Sequence, residues 1–485
     1  MIRHLEPTTS GRFRSKVTLV PVVALIFFSV SGGAYGLEPL TSSSGPGMAM
    51  ILILITPLIY SLPVALFTAE LGTAIPTEGG GYHWVQRAFG DFWAFQEGML
   101  WIFTAFVDMA LYPLLFADYL GQLWSPATQG ATVMAHVGPL VIDLHWILAV
   151  GCFIVPLTVL NIMGARWVGD SSVLFAVVAL VPFVLLVAIG IPQLFAHHVN
   201  PVAPLTTPHT SAIAAFGAGL WIVMWNYCGF DSVGAIAEEI ERPQRVIPRA
   251  LVWSLVVIVA SYVLPMTAAM AAGGWSSWDA GSFTHIARVI GGPWLSWALT
   301  IGAIFGTVGL FGSLLMSNSR IPFAMAEDAW LPPAISRLSP RFGTPTLAIV
   351  GCAVLYALFS FSTFANLVVI DVFLTNCTLL LELAALFALR RKEPDLPRPY
   401  RIPGGTGTLV LIGSPLVAVC AFAVWAQYAD SGLPSITFSF GAVGLSVILY
   451  GVARVWRRRS LGRAPDAELE AGRSFVDEPG VTGLP

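Results

Sequence analysis

The chain has 485 residues, of which 56% are hydrophobic and only 11% are charged. A soluble globular chain carries about 25% charged residues, so this one cannot cover a water-facing surface and reads as a polytopic integral membrane protein with the lipid bilayer as its surround. Lys and Arg number 24 against 27 Asp and Glu, a net charge of −3, which leaves no basic excess for nucleic-acid phosphates and excludes that partner class. The cysteines, Cys152, Cys228, Cys352, Cys377 and Cys420, lie in apolar segments without a CxxC pair, so neither a disulfide framework nor a zinc site is suggested. GxxxxGK[ST] and HExxH are absent from the sequence, and with them the common signals of phosphate and zinc chemistry. No cofactor and no metal site are expected.

A membrane helix needs ~20 mostly apolar residues. In chain order such stretches run near 17–40, 46–70, 92–121, 142–163, 168–192 and 210–239, then 248–272, 292–323, 345–361, 363–389, 408–428 and 433–456. That is about twelve spans, and continuous runs of this length exclude the ~10-residue alternation of a β-barrel. Short loops rich in Lys and Arg stay cytoplasmic. Every basic residue except Arg288 falls in a tail or loop on one side of this arrangement, so both termini are expected in the cytoplasm, at the cell membrane. The first segment also resembles a cleavable signal peptide, but cleavage would reverse the charge logic, and retention as span 1 fits better. The expected organisation is a cytoplasmic tail over 1–16, a core over 17–389, a cytoplasmic loop over 390–407, two peripheral spans over 408–456 and a second cytoplasmic tail over 457–485.

Span 1 is interrupted at Ser29–Gly36, where Gly32, Gly33 and Gly36 crowd together. Each glycine costs a helix interior ~1 kcal/mol relative to Ala. Span 6 is interrupted at Asn226–Asp231. Five spans separate the starts of the two, the spacing of a five-helix repeat, and an odd number of spans per repeat inverts the second copy. Interrupted segments at matching places in inverted repeats point to a transporter's binding site, because non-helical backbone at membrane depth is tolerated only where protein or a wet cavity satisfies it. Free N–H groups near Gly32–Gly36 would take a carboxylate or another acceptor. Free carbonyls near Asn226–Gly229 would take an ammonium. Packing alone would explain the small-residue stripe Gly302, Gly306, Gly309 and Gly312, but not Asn226, Gly229 and Asp231 together.

Acids inside the spans carry the next inference. An ionised Asp at a helix centre costs ~2.5–3.5 kcal/mol, yet Glu38 follows the first break, Asp108 sits in span 3, Asp231 closes the second break and Asp371 lies in span 10. With no Lys or Arg expected at that depth, such acids want protons or an amine. Glu97, Trp101, Thr104, Asp108 and Tyr112 form one polar stripe on span 3. Asp371, Thr375, Thr378 and Glu382 form another on span 10. Glu97 and Glu382 lie near the span ends, where structural hydrogen bonding is the plainer reading. Tyr35, Tyr112, Trp225 and Phe230 can offer aromatic faces to an amine. The candidate substrate site is therefore Ser31, Gly32, Gly33, Ala34, Tyr35, Glu38, Asp108, Tyr112, Trp225, Asn226, Gly229, Asp231 and Asp371, with Glu38 and Asp108 as candidate proton carriers.

At these residues the chain resembles the amino acid–polyamine–organocation (APC) superfamily, over about residues 17–455. Glu78-Gly79-Gly80-Gly81-Tyr82 is similar to the glycine-rich segment after span 2. Val30-Ser31-Gly32-Gly33 through Glu38, Val107–Pro113, Asp231-Ser232, and Leu381-Glu382 with Arg398-Pro399-Tyr400-Arg401-Ile402-Pro403 resemble its polyamine:proton symporter group most. The resemblance implies a LeuT-like 5+5 inverted repeat with discontinuous helices 1 and 6, spans 11 and 12 outside it, and secondary active transport. Pro39 stands where that group carries a second acid, Leu314 replaces an acid of span 8, and the second break reads Asn226-Tyr227-Cys228-Gly229-Phe230. Fewer acids imply fewer positive charges on the substrate and keep an amino acid open beside a polyamine. Span 5 holds no Lys, so coupling to protons would need a carboxylate. Sodium remains possible through Ser313 and Ser317. The expected function is proton-coupled uptake of an amino acid or polyamine by a monomer or loose homodimer. The alternatives are an amino acid exchanger of the same fold and a nutrient sensor. An enzyme would need a nucleophile and base, or a metal set, at one depth, and the spans offer none.

Overall fold

The computed structural model describes residues 16–127, 129–137, 140–279, 281–359, 367–432 and 434–461. The N-terminal tail before Lys16, the C-terminal tail beyond Leu461 and the junction 360–366 of spans 9 and 10 lie outside the described residues.

Among the described residues, ten helical segments are long and apolar enough to cross a membrane, and two shorter apolar helices occupy the expected spans 1 and 9. Helix α1 (Leu19–Val30) stops at Ser31, whose backbone is extended, and α2 (Glu38–Ser44) resumes seven residues later. Helices α3 (Pro46–Thr56) and α4 (Leu62–Ala74) are one span joined by a π-helical turn, Pro57–Ser61. Pro57 has no N–H to donate, which breaks the regular ladder there. After the amphipathic α5 (Gly81–Phe89), span 3 divides into α6 (Asp91–Asp108) and α7 (Leu111–Leu123). Pro113 leaves the Met109 carbonyl without its usual donor. An antiparallel hairpin, β1 (Val133–Val137) and β2 (Leu140–Asp143), follows and departs from an otherwise helical architecture. Span 4 is α8 (Leu144–Leu148) and α9 (Val155–Met163) around a second π-helical turn. Span 5 is α10 (Ala165–Ala196).

Helix α11 (Ala212–Tyr227) ends where Cys228 turns extended, and the short α12 (Ser232–Ala235) continues beyond the break. Gly229 between them has φ +103, and a Cβ there would fall on the Ser29 carbonyl oxygen. Only glycine lets the second break lie against the first. Then come α13 (Pro243–Ala269), the amphipathic α14 (Phe283–Gly291), α15 (Pro293–Glu327), α16 (Thr346–Phe359), α17 (Leu367–Lys392), α18 (Thr406–Ser431) and α19 (Pro434–Leu461). Burial ranks them. The apolar window of α15 is 72% buried, against 33% for α18 and 11% for α19, so α15 is central and the last two helices lie outside. The glycine stripe of α15 seats the first break: a Cβ on Gly306 would lie 2.8 Å from the Gly32 carbonyl oxygen, and one on Gly309 would enter the Phe28 ring.

One expectation fails here. Arg320 was assigned to a loop, but α15 runs on to Glu327 and carries Arg320 fully buried inside it. The acids of the spans are therefore not without any cation at depth.

Candidate substrate site

The two breaks border one cavity of about 800 Å³, its open mouth included. The first break contributes Ser31, Gly32 and Tyr35, and the second Trp225, Asn226, Gly229 and Asp231. Span 3 presents Trp101, Thr104, Asp108 and Tyr112, and α17 presents Asp371, Thr375 and Thr378. Both polar stripes therefore face the same space. Among the described residues the lining holds three carboxylates and no Lys, Arg or His.

The carboxylates differ in their partners. Asp108 accepts from the Tyr112 hydroxyl at 2.8 and 2.9 Å and from Trp225 Nε1 at 3.3 Å. Asp371 is its electrostatic neighbour. Oδ1 of Asp371 and Oδ1 of Asp231 are buried without a hydrogen-bond partner. Buried polar groups are ordinarily bonded, so these two atoms leave unused acceptor capacity in the wall of the cavity. Tyr35, Tyr112, Trp101 and Trp225 add aromatic faces to the lining. Phe230 does not, being fully buried in the core.

Gly33, Ala34 and Glu38 stand outside the residues that line the cavity. Gly33 has φ +106 and turns the chain, its N–H accepted by Ser31 Oγ at 3.0 Å. Ala34 is fully buried. Glu38 accepts the N–H of Gly36 at 2.7 Å and those of Gly281 and Phe283 at 3.1 Å. It ties the first break to the entry to α14, so its carboxylate is spent on backbone. The free backbone expected at the breaks is likewise partly used, since the Asn226 carbonyl accepts from the Tyr262 hydroxyl at 2.6 Å.

Asn318 and Ser29 line the cavity beyond the candidate set. Asn318 accepts from Trp101 Nε1 at 2.9 Å, and Ser29 exchanges a hydrogen bond with Ser313 at 3.0 Å. Leu310, Leu314 and Asn318 stand at i, i+4 and i+8 on α15 and all line the cavity, a spacing that would have exposed Asn318 once the helix face was known.

Toward the basic ends of the spans, buried ion pairs and backbone bonds tie the elements together. Arg320 donates through Nε to Glu239 at 2.7 Å and also through Nη2, while Nη1 meets Ser319 at 2.8 Å. Glu78 lies beside this pair, and burial first, then the Glu239 charge, pushes its carboxyl well above the ordinary range. Val17 bonds through its N–H to the Glu239 carbonyl and through its carbonyl to the Glu241 N–H, both at 2.9 Å. Lys16 reaches the Glu238 carbonyl. Arg390 and Arg398 close on the buried Glu70, which also accepts the Ile402 N–H at 2.8 Å. The Arg398–Pro403 segment is thus a strap holding α4 to the end of α17.

A family model described as "Amino acid permease" matches residues 18–452. The polyamine transporter PUT1 of Oryza sativa subsp. japonica is 33% identical over 440 residues, covering 90% of this chain and 78% of that one. The polyamine transporter RMV1 of Arabidopsis thaliana is 33% identical over 407 residues, covering 83% of this chain and 79% of its own. The branched-chain amino acid permease BcaP of Bacillus subtilis (strain 168) is 25% identical over 376 residues, 75% of this chain and 77% of that protein. With the match spanning both breaks and the cavity between them, the chain belongs to the amino acid permease family of membrane transporters.

Proposed function

We propose that this transporter is a proton-coupled importer of an amine-bearing substrate, a polyamine before an amino acid, working at the cell membrane with both termini in the cytoplasm. The observation that carries the reading is the cavity lining of Asp108, Asp231 and Asp371 without a basic side chain among the described residues. Three acids favour a cation bearing more than one positive charge. An amino acid would bring a carboxylate as well, and of the N–H groups near Gly32–Gly36 those of Gly33 and Gly36 are already taken by Ser31 and Glu38. The polyamine transporters among the relatives support the same choice. An amino acid exchanger is the second reading, supported by the serine/threonine exchanger SteT of Bacillus subtilis (strain 168), 24% identical over 429 residues.

The fold proposed is twelve spans with a 5+5 inverted repeat over 17–389, discontinuous at α1/α2 and α11/α12. The segment 390–407 is a cytoplasmic loop, 408–456 two peripheral spans, and 1–16 and 457–485 are cytoplasmic tails. The unit is a monomer or loose homodimer. Substrate contacts fall to Ser31, Gly32, Tyr35, Tyr112, Trp225, Asn226 and Gly229 beside the three acids. Protons are favoured over sodium because the Ser313 hydroxyl, one of two sodium-ligand candidates, is engaged by the Leu25 carbonyl at 2.7 Å and by Ser29 at 3.0 Å. The test is uptake of labelled diamines, triamines and amino acids by proteoliposomes in sodium-free buffer. Polyamine uptake should rise with an inward pH gradient and collapse with a protonophore. Uptake confined to amino acids, or requiring sodium, overturns the reading.

A further inference from the structure

We propose that Glu97 and Glu382 form a carboxyl pair that carries the coupling proton behind the substrate cavity, displacing Glu38 and Asp108 from that role. The inference rests on the proton-coupled reading above. Glu97 comes from α6 and Glu382 from α17, and both are fully buried. The start of α5 is their third wall. A Cβ on Gly81 would overlap Glu382 Oε1 and lie 2.7 Å from Glu97 Oε1, so the two carboxyl groups converge on one point that only glycine leaves open. All four of their oxygens are buried without a hydrogen-bond partner.

Among the described residues none neutralises them. From the second break Asp231 acts on both, adding negative charge. From α15, Met325 packs beside Gly98 on α6, and the Arg320 guanidinium is held by Glu239 and Ser319. From α5, Tyr82 donates to Asp328 at 2.7 Å, and His83 is paired with Gln86 at 3.0 Å. Two ionised carboxylates buried in this way would each cost several kcal/mol. Neither residue lines the cavity, so there is no room for an ammonium or a hydrated metal ion. A proton needs no room. Held between the two groups it removes one charge and makes an O–H···O bond with the other, as like-charged carboxyls in contact share a proton elsewhere.

Asp231 connects the pair to the substrate, since it lines the cavity and also acts electrostatically on both glutamates. The Gly79 N–H bonds the Ala235 carbonyl at 3.0 Å, so the loop that walls the pair moves with α12. The step balances as one proton. The pair takes it from the outer solution by way of the cavity and Asp231, which borders both. When the inner side opens, water reaches the two carboxyls, the protonated member loses the proton to the cytoplasmic solution, and two carboxylates remain.

The experiment uses the full-length protein in proteoliposomes. Wild type is first tested for pH-driven accumulation of the labelled polyamine; its absence defeats the proton-coupled reading itself. Given that accumulation, Glu97→Gln and Glu382→Gln should each bind substrate within about threefold of wild type and support counterflow, yet lose at least about tenfold in pH-driven accumulation. Wild-type accumulation in both variants overturns the proposal, and so does lost substrate binding in monodisperse protein. Should a Gln variant aggregate, Glu97→Asp and Glu382→Asp keep a titratable group at altered reach. They should shift the pH midpoint of uptake, and an unmoved midpoint overturns the proposal.

Discussion

Replacing Asp108 by Asn removes one charge from the cavity and almost nothing else. The side chain keeps its size, and an amide oxygen can still accept from Tyr112 or Trp225, which reach Asp108 at 2.8 and 3.3 Å. An ammonium about 4 Å from a carboxylate gains ~4 kcal/mol at an effective dielectric of about 20. Desolvation offsets part of this, and hydrogen bonds to charged groups contribute ~1.5–3 kcal/mol net. At 1.4 kcal/mol per tenfold, Asp108→Asn should weaken substrate binding by roughly 10- to 150-fold. Because Asp371 is the electrostatic neighbour, removing one acid relieves repulsion at the other. The double variant with Asp371→Asn should then depart from additivity by about 0.5–3 kcal/mol, as residues in direct contact do. Competition binding with a labelled diamine in detergent, at fixed pH and salt, measures both effects. An affinity within about twofold of wild type for Asp108→Asn would refute the reasoning and leave the acid a structural acceptor for Tyr112.

Three further substitutions test the frame around the site. Arg320→Met strands Glu239 as an uncompensated buried charge and should cost about 3–5 kcal/mol, read as a lower thermal midpoint in detergent that a second change, Glu239→Met, largely restores. Gly229→Ala imposes a side chain at φ +103 against the Ser29 carbonyl, a strain of about 1–3 kcal/mol, and should abolish uptake while Gly217→Ala, where a Cβ meets only Ala426 at 3.1 Å, leaves it intact. Burial holds the Glu78 carboxyl well above its ordinary range, so the folded state binds that proton more tightly than the unfolded one. Its stability is then full below an ordinary carboxyl pKa of about 4.3 and is lost as pH rises toward the raised value. Thermal midpoints between pH 5 and 8 should fall less steeply in Glu78→Gln than in wild type, and equal slopes would count against it.

The spans were legible because lipid permits only long apolar helices, and the breaks because glycines crowded where helix was otherwise mandatory. Asp108 and Asp371 could be grouped from spacing, since a polar stripe in an apolar helix must face inward, and Asp231 from its place at the second break. Glu38 could not be read in the same way. It lies beside the first break in sequence, but its partners at Gly281 and Phe283 belong to a segment that only the folded chain brings to it. Arg320 failed for a related reason: a basic residue near a span end reads as loop until its partner Glu239, on the far side of the second break, is known.

Glu97 and Glu382 mark the limit from the other direction. Depth argued for the bland reading, because acids near span ends usually find water or a donor. The fold removes both, placing the carboxyls against Gly81 with no donor and no cation. Nothing in the spacing of either stripe says that the two lower ends meet, since each helix can be phased from its own residues but their relative height cannot. Gly81 is the one sequence feature that anticipates it, as the third glycine of a run. Gly80 is needed to dock on Gly234 and Ala235, where a Cβ would lie 2.5 Å from the Gly234 carbonyl carbon, and Gly79 to clear Ala324, whose Cβ would lie 2.6 Å away. The third glycine has no such backbone to meet. Its missing side chain is required by the two acids alone, which makes Gly81→Ala the substitution that separates the docking role of this loop from its role as a wall: it should leave the loop seated and disturb the pH dependence of transport.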